Sequence, residues 1–473
     1  MTSPEYLALA RHGLGPRTSS SKTVVIVGAG MAGLVAAYEL RRAGHDPIVL
    51  EAQPRIGGRI FTMREPFAPG LYAEAGAMRI PKAHTLTLAY VEQFGLKTFP
   101  FAMNNRRAYY HLRGRRVRVE EAERDPGLLD FEMADHERGR SIAELWEAAL
   151  RPIAQVLEAK GDAAWPEIVA EYDQYSVREF LEAKGMSEGA IEAFGLLFNQ
   201  EALMNSSFLE LLREEVGGFY TDMVQIADGM DRLPRALFAK VSDRVRLSAK
   251  MIALDQTPDE VIVHYQTLAG RFRVSGDYAI VTVPFPVLRH VEVLKPFSRA
   301  KQRAIRQLHY DASAKIFFQC RRRFWEEDDG IFGGGTVTDL PVRNVYYPEH
   351  GRETGRGVLL ASYTWSEDAQ RWGSLSPHDR IVQALENVAL IHPQVTECFE
   401  TGASKMWHDD EFAGGAYALF DPGQQTLLHE HIIAPEGRIH FAGEHASLAH
   451  AWIQGAIESG LRAAREIHHA PSH

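Results

Sequence analysis

Apolar positions set the first pattern. In TVVIVGAGMAGLVAAYELRRAG the β-branched run Val24–Val27 precedes a glycine turn, apolar positions then recur at helical spacing from Leu34, and a second apolar run covers Ile48–Glu51. A buried strand, a helix and another strand in that order predict a βαβ unit. Upstream, Glu5–His12 has helical spacing and stops at Gly13; Gly15, Pro16 and Ser19–Ser21 read as linker, which makes residues 1–21 an N-terminal arm.

From about Glu120 to Val224 the apolar residues keep helical spacing amid abundant Glu, Ala and Leu, as in SIAELWEAALRPIAQVLEAK. After DGMDRLPRAL the runs shorten to VIVHYQ, FRVSG and DYAIVTVP, each behind a turn, so a sheet resumes late in the chain. KIFFQC and VLLASYTW read as further strands, HDRIVQALENVALI as a helix, and GRIHFAGEHASLAHAWIQGAIESGLRAAREI as strand, loop and helix. The expectation is a mixed α/β fold in which a nucleotide-binding domain (22–60, 225–310 and 430–473) is interrupted by a substrate domain (61–119 and 311–429) and a helical domain (120–224).

Composition narrows the class. The 473 residues are 45% hydrophobic and 24% charged, which excludes disordered and collagen-like chains. Lys plus Arg number 52 against 62 Asp plus Glu, a formal charge of -10, the wrong sign for a general partner of nucleic acid or anionic membrane. With no basic-then-apolar leader and no long apolar run, the expected location is cytoplasmic, with no membrane span. Cys320 and Cys398 are too few for a disulfide framework and read as core. His429, His431, His440, His445 and His450 lack companions at ligand spacing, so no metal is expected.

The chemistry starts at Gly28, Gly30 and Gly33, a G-x-G-x-x-G between strand and helix, with Glu51 23 residues beyond Gly28 at the end of the next strand. Gly28 permits the tight turn, Gly30 lets a pyrophosphate approach the backbone, Gly33 lets helix pack on strand, and Glu51 is placed to accept from ribose hydroxyls. Just beyond, Gly57, Gly58 and Arg59 form a second close-approach turn carrying a cation suited to phosphate. In AGAMRIP, Arg79 stands in a small, apolar stretch, where an unpaired guanidinium is costly, and so calls for an anionic partner.

GAGMAGL, EAQPRIGGR and GRIHFAGEHASLAHAWIQGAIESG resemble the flavin-dependent amine oxidase family. AGAMRIP, DGMDRLP, AKIFFQCRRRFWEEDDGI, TDLP and YYPEH bring the likeness nearest to L-amino acid oxidases of the snake-venom type, from about Tyr6 to Ile467. The resemblance implies a Rossmann-like FAD domain of the glutathione-reductase/amine-oxidase type. It also implies FAD contacts at Gly28, Ala29, Gly30, Met31, Ala32 and Gly33, at Glu51 and Ala52, and at Gly58 and Arg59. Further contacts fall at Ala77, Met78 and Arg79, at Met251, and at Gly443, Glu444, Trp452, Ile453 and Ile457.

It further implies that Arg79 and Tyr363 hold a substrate carboxylate, that Lys315 meets the flavin's reactive nitrogen through a water, and that Ala451 and Trp452 lie against flavin and amino acid. Trp407 matches a pocket wall. Ala416 falls where membrane monoamine oxidases carry the cysteine that bonds FAD, which implies non-covalent FAD. The venom enzymes have a bulkier side chain there, so the pocket is expected to admit aromatic and other large apolar groups. The implied reaction converts an L-amino acid and dioxygen to a 2-oxo acid, ammonia and hydrogen peroxide, by hydride transfer from Cα, in a homodimer. Arg79 argues against an amine or polyamine oxidase; nothing in the sequence separates an amino acid 2-monooxygenase. Where the venom enzymes carry a histidine this chain reads LLREEVGG, which leaves open the group that takes the ammonium proton; Glu214 need not replace the histidine.

Overall fold

In the computed structural model, which describes residues 4–471, Thr23–Val27 is the middle strand of five. The parallel order is Val245–Arg246, Asp46–Leu50, Thr23–Val27, Tyr278–Val281 and Ile439–Phe441. The unbroken apolar run follows from burial on both faces. Val24 and Ile26 pack on the helices Met31–Arg42 and Ile453–His469, while Val25 and Val27 pack on an antiparallel sheet that holds Leu254, Val261 and Val263. Each such side chain, fully removed from water, contributes about 1.5–3 kcal/mol. The register aligns Val27 with Leu50 and with Val281, and Val281 with Phe441. Glu51, Gly28, Thr282 and Ala442 therefore follow one another along the carboxyl edge, where ligands bind in open parallel sheets.

A seven-stranded mixed sheet has Ser313–Cys320 in its interior, between Phe399–Met406 and Gly357–Trp365, with all eight residues of that strand buried. Cys320 and Cys398 are both buried and free. From Val119 to Val216 the chain forms helices, with a single antiparallel bridge between Ser176 and Ser207. Two of those helices start with reciprocal Ser–Glu capping boxes, at Ser141 with Glu144 and Ser176 with Glu179. Their core is aromatic, with Phe180 stacked on Phe208 at 3.6 Å beside Trp146 and Phe194.

After the helices the chain returns through Met223–Ile226, which pairs with both Ile80–Pro81 and Thr98–Phe101. This small sheet fastens the AGAMRIP segment to the end of the helical stretch, so Arg79 and Tyr220 are brought together. The N-terminal segment is docked rather than loose: the helix Pro4–His12 buries Ala10, and Leu14 joins the same core as Val24 and Leu461. No helix among the described residues is long and apolar enough to cross a membrane.

Candidate active site

A cavity of about 980 Å³ runs from the glycine turn, past the seven-stranded sheet, to the helical segment. At the turn, Gly28 has φ +110°, and a Cβ there would lie 2.4 Å from Thr282 Oγ1. A Cβ on Gly33 would lie 2.0 Å from the Gly28 carbonyl oxygen, so helix and strand meet only through glycine. Gly30 differs: its φ is -75°, and a Cβ would meet nothing within 4 Å. No protein neighbour demands glycine at Gly30, and the space before it belongs to the cavity, at the start of the helix Met31–Arg42. A pyrophosphate fits that cradle, where free amides and the helix dipole favour an anion.

Glu51 lines the cavity with a buried carboxylate whose Oε2 accepts from the Ala29 amide at 2.7 Å and Oε1 from the Gln53 amide at 2.8 Å. It therefore holds the glycine turn in shape as well as facing the cavity. Arg59 also lines it, but its charge is compensated inside the protein: Nη1 donates to Glu444 Oε1 at 2.7 Å and to the Ala416 carbonyl at 3.1 Å. Glu444 in turn accepts from the Ala451 amide at 3.0 Å, which pins Ala451 at φ +65°, a conformation strained for a residue with a Cβ. Met31, Ala32, Ala52, Gly58, Ala77, Met78, Met251, Gly443 and Ile453 reach the cavity wall. Ala29, Gly33 and Ile457 are buried behind it, Ile457 in the core beneath the final helix.

Deeper in, Lys315 and Tyr363 are direct cross-strand partners, so their side chains share a face, with Nζ 4.5 Å from the ring centroid. Lys315 is not at a sheet edge. It is 2% exposed, and Nζ donates to the carbonyl oxygens of Glu74 at 3.0 Å and Gly76 at 2.7 Å. Burial and then the charge of Arg79 push its pKa down to about 7, against the pull of Glu74.

Arg79 opens on the same cavity among the phenols of Tyr346, Tyr363 and Tyr220. Its Nη1 is buried and has no hydrogen-bond partner, and no carboxylate pairs with it among the described residues. The anionic partner that its setting calls for does not come from the chain.

Trp407 is fixed by an Nε1 hydrogen bond to the Ala75 carbonyl at 2.8 Å. Ala416 lines the wall next to Tyr417 and near Phe412, and no cysteine lines the cavity. Ala451 is exposed into the cavity, and Trp452 donates from Nε1 to Glu214 Oε1 at 2.7 Å. Tyr220 donates to the other oxygen of Glu214 at 2.7 Å. Sequence reasoning singled out neither Tyr220 nor Glu210, which pairs with His450 at 2.8 Å. The available signal was the clustering of Glu210, Glu214 and Glu215 on one helix whose other residues, Arg213 apart, are apolar. Of the other histidines, His440 pairs with Glu466, and no group of three or more potential ligands that could hold a metal occurs among the described residues.

The glycine turn at the carboxyl edge and the arginine without a carboxylate partner thus line one cavity, and the chain belongs to the flavin-containing amine oxidoreductase family, whose model matches residues 31–468. It is an enzyme with a flavin cofactor. It is 38% identical to L-amino acid oxidase Bs29 of Bothriechis schlegelii over 98% of this chain and 94% of that protein. The identity is also 38% to an L-amino-acid oxidase of Vipera ammodytes ammodytes, over 98% of this chain and 96% of the relative. The fold matches putrescine oxidase with putrescine bound at a TM-score of 0.74, with 23% identity over 94% of this chain and 99% of that one.

Proposed function

We propose that the chain is an FAD-dependent oxidase of L-amino acids that turns them into 2-oxo acids, ammonia and hydrogen peroxide. The observation that carries this reading is Arg79, whose buried Nη1 is unpartnered in the cavity that also holds the glycine cradle, Lys315 and Tyr363. A planar guanidinium beside a phenol suits a carboxylate held through two hydrogen bonds. The named activity of the 38% identical relatives supports the same substrate class.

FAD held along the cradle would supply the hydride acceptor, with dioxygen as the terminal oxidant. Gly28, Gly30 and the start of the helix Met31–Arg42 would hold its pyrophosphate, and Glu51 its ribose. The absence of cysteine from the wall supports a non-covalent attachment. Arg79 and Tyr363 fix the carboxylate, which leaves the substrate one orientation for its Cα hydrogen. Lys315, anchored on two carbonyls, sets a polar group at the strand face between the two ends, and Trp407 and Trp452 exclude water from either side. The small side chain of Ala416, with Phe412 and Tyr417 nearby, supports acceptance of large apolar and aromatic side chains.

The test is an anaerobic absorbance titration of the purified yellow protein with L-amino acids, D-amino acids and simple amines, followed by air. Bleaching by L-amino acids alone, with peroxide and ammonia on reoxidation, is the expected result, with L-Phe and L-Trp among the good substrates. Bleaching only by amines would remove Arg79 from the carboxylate role, and an amide with carbon dioxide would make the enzyme a monooxygenase.

A further inference from the structure

The helix Phe208–Val216 turns Phe208, Leu209, Leu211 and Leu212 into the helical core and leaves Glu210, Glu214 and Glu215 on the cavity. Glu210 is neutralised by His450. Glu214 is held only by neutral donors, Trp452 Nε1 and the Tyr220 hydroxyl, and no cation pairs with it among the described residues. The two donors come from different parts of the chain and grip one oxygen each, so the carboxylate cannot swing across to Arg79. Arg79 is likewise fixed, with its guanidinium 5.9 Å from the Tyr220 ring centroid. One cavity therefore presents a fixed cation and a fixed anion that influence each other's ionisation but do not form an ion pair.

Such an arrangement complements a ligand with the opposite dipole. A carboxylate on Arg79 leaves room for an ammonium on Glu214, because a carboxylate oxygen that accepts one hydrogen bond keeps a further lone pair. A ligand with a carboxylate and no ammonium satisfies Arg79 but sets a second anion against Glu214, in surroundings where charges are weakly screened. We propose that Glu214 is the specificity-determining anion that, opposite Arg79, selects the α-amino acid zwitterion and rejects simple carboxylates. This inference rests on the amino-acid reading of the cavity.

The discrimination is switched by pH. Burial pushes the pKa of Glu214 up to about 7, and the hydrogen bonds from Tyr220 and Trp452 pull it back in part; Glu210 adds to the rise and Arg79 opposes it. Tyr417 also feels its charge, Arg213 and Glu215 flank it on the helix, and His84 packs on Trp452. Burial keeps His84 down at about 3, so it stays neutral. Above about pH 7 the Glu214 charge is present and carboxylates are rejected; below it the charge is lost.

Benzoate is the probe, titrated calorimetrically into the flavin-loaded wild type and Glu214→Gln at pH 6 and pH 8.5. The wild-type Kd divided by the variant Kd is expected near one at pH 6 and about tenfold at pH 8.5, a factor equivalent to one modest charge interaction. Lys315 titrates in the same range but is present in both proteins, so it cancels in the ratio. The KM for L-phenylalanine is expected to rise about tenfold in the variant at pH 8.5. A ratio of one at both pH values overturns the proposal. Tyr220→Phe removes a donor that stabilises the Glu214 charge, so the pH at which wild-type-like benzoate rejection sets in moves upward; an unmoved midpoint also overturns it. Should Glu214→Gln lose its flavin, Tyr220→Phe alone carries the test. Failure of the underlying reading has a separate signature, either benzoate affinity that survives Arg79→Met or a wild-type flavin that no L-amino acid bleaches.

Discussion

The two ends of the cavity are built on opposite principles. At the cradle Arg59 is paired with Glu444, and Glu51, whose pKa burial raises, is pulled back toward its charged form by two backbone amides and by Arg55. At the other end, Arg79 has a buried nitrogen without a partner, Lys315 is held at a depressed pKa and Glu214 at a raised one. A compensated site keeps its shape with or without ligand. An uncompensated one holds electrostatic energy that a ligand of the right charge releases, so specificity concentrates there.

The largest way to break this contrast is Arg79→Met, which removes the uncompensated cation and leaves the cradle untouched. The kcat/KM for L-amino acids is expected to fall roughly a thousandfold, the scale of losing one partner of a buried charge pair, while the flavin absorbance spectrum stays the same. Unchanged steady-state kinetics would refute the carboxylate role.

Gly30→Ala probes the other end. Because a Cβ there meets no protein atom within 4 Å, thermal unfolding of the flavin-free protein should shift by only about 1 °C, whereas flavin affinity, read by fluorescence of the released cofactor, should drop about a hundredfold. Loss of fold without flavin would mean that the glycine serves packing, as Gly33 does.

The smallest effect sharpens the contrast through pH. Lys315 has its folded pKa depressed from 10.5 to about 7, so between those values the unfolded chain binds the additional proton and wild-type stability rises with pH. Below pH 7 the full cost of burying the ammonium is present; near pH 10.5 it is gone. Lys315→Met should therefore exceed the wild type in Tm by about 3 °C at pH 6, with the difference shrinking toward pH 10. A difference that grows with pH in differential scanning calorimetry would reverse the assignment of Lys315 as a strained cation.

Much of this was legible in order along the chain. Val24–Val27, the glycine turn and the helix from Met31 are written locally, because a strand buried on both faces needs an unbroken apolar run and a helix start next to a phosphate-sized space needs glycine. The apolar spacing of 208–216 likewise announced a helix. It could not announce which way Glu214 points. On pattern alone the charged face of that helix reads as solvated, and only the packing of Phe208, Leu209, Leu211 and Leu212 into the helical core turns it to the cavity.

By itself, then, the sequence determined the mixed α/β class, the glycine turn with Glu51 beside it, and the family resemblance that singled out Arg79, Lys315 and Tyr363. Only the tertiary structure decided what those groups face. Arg59 is paired with Glu444 from the far end of the chain, Glu214 is held between Tyr220 and Trp452, and Arg79 is left without an anion. The reason is physical. Periodicity and turn chemistry are properties of neighbouring residues, whereas charge compensation depends on distances across the fold, between side chains that no local rule relates.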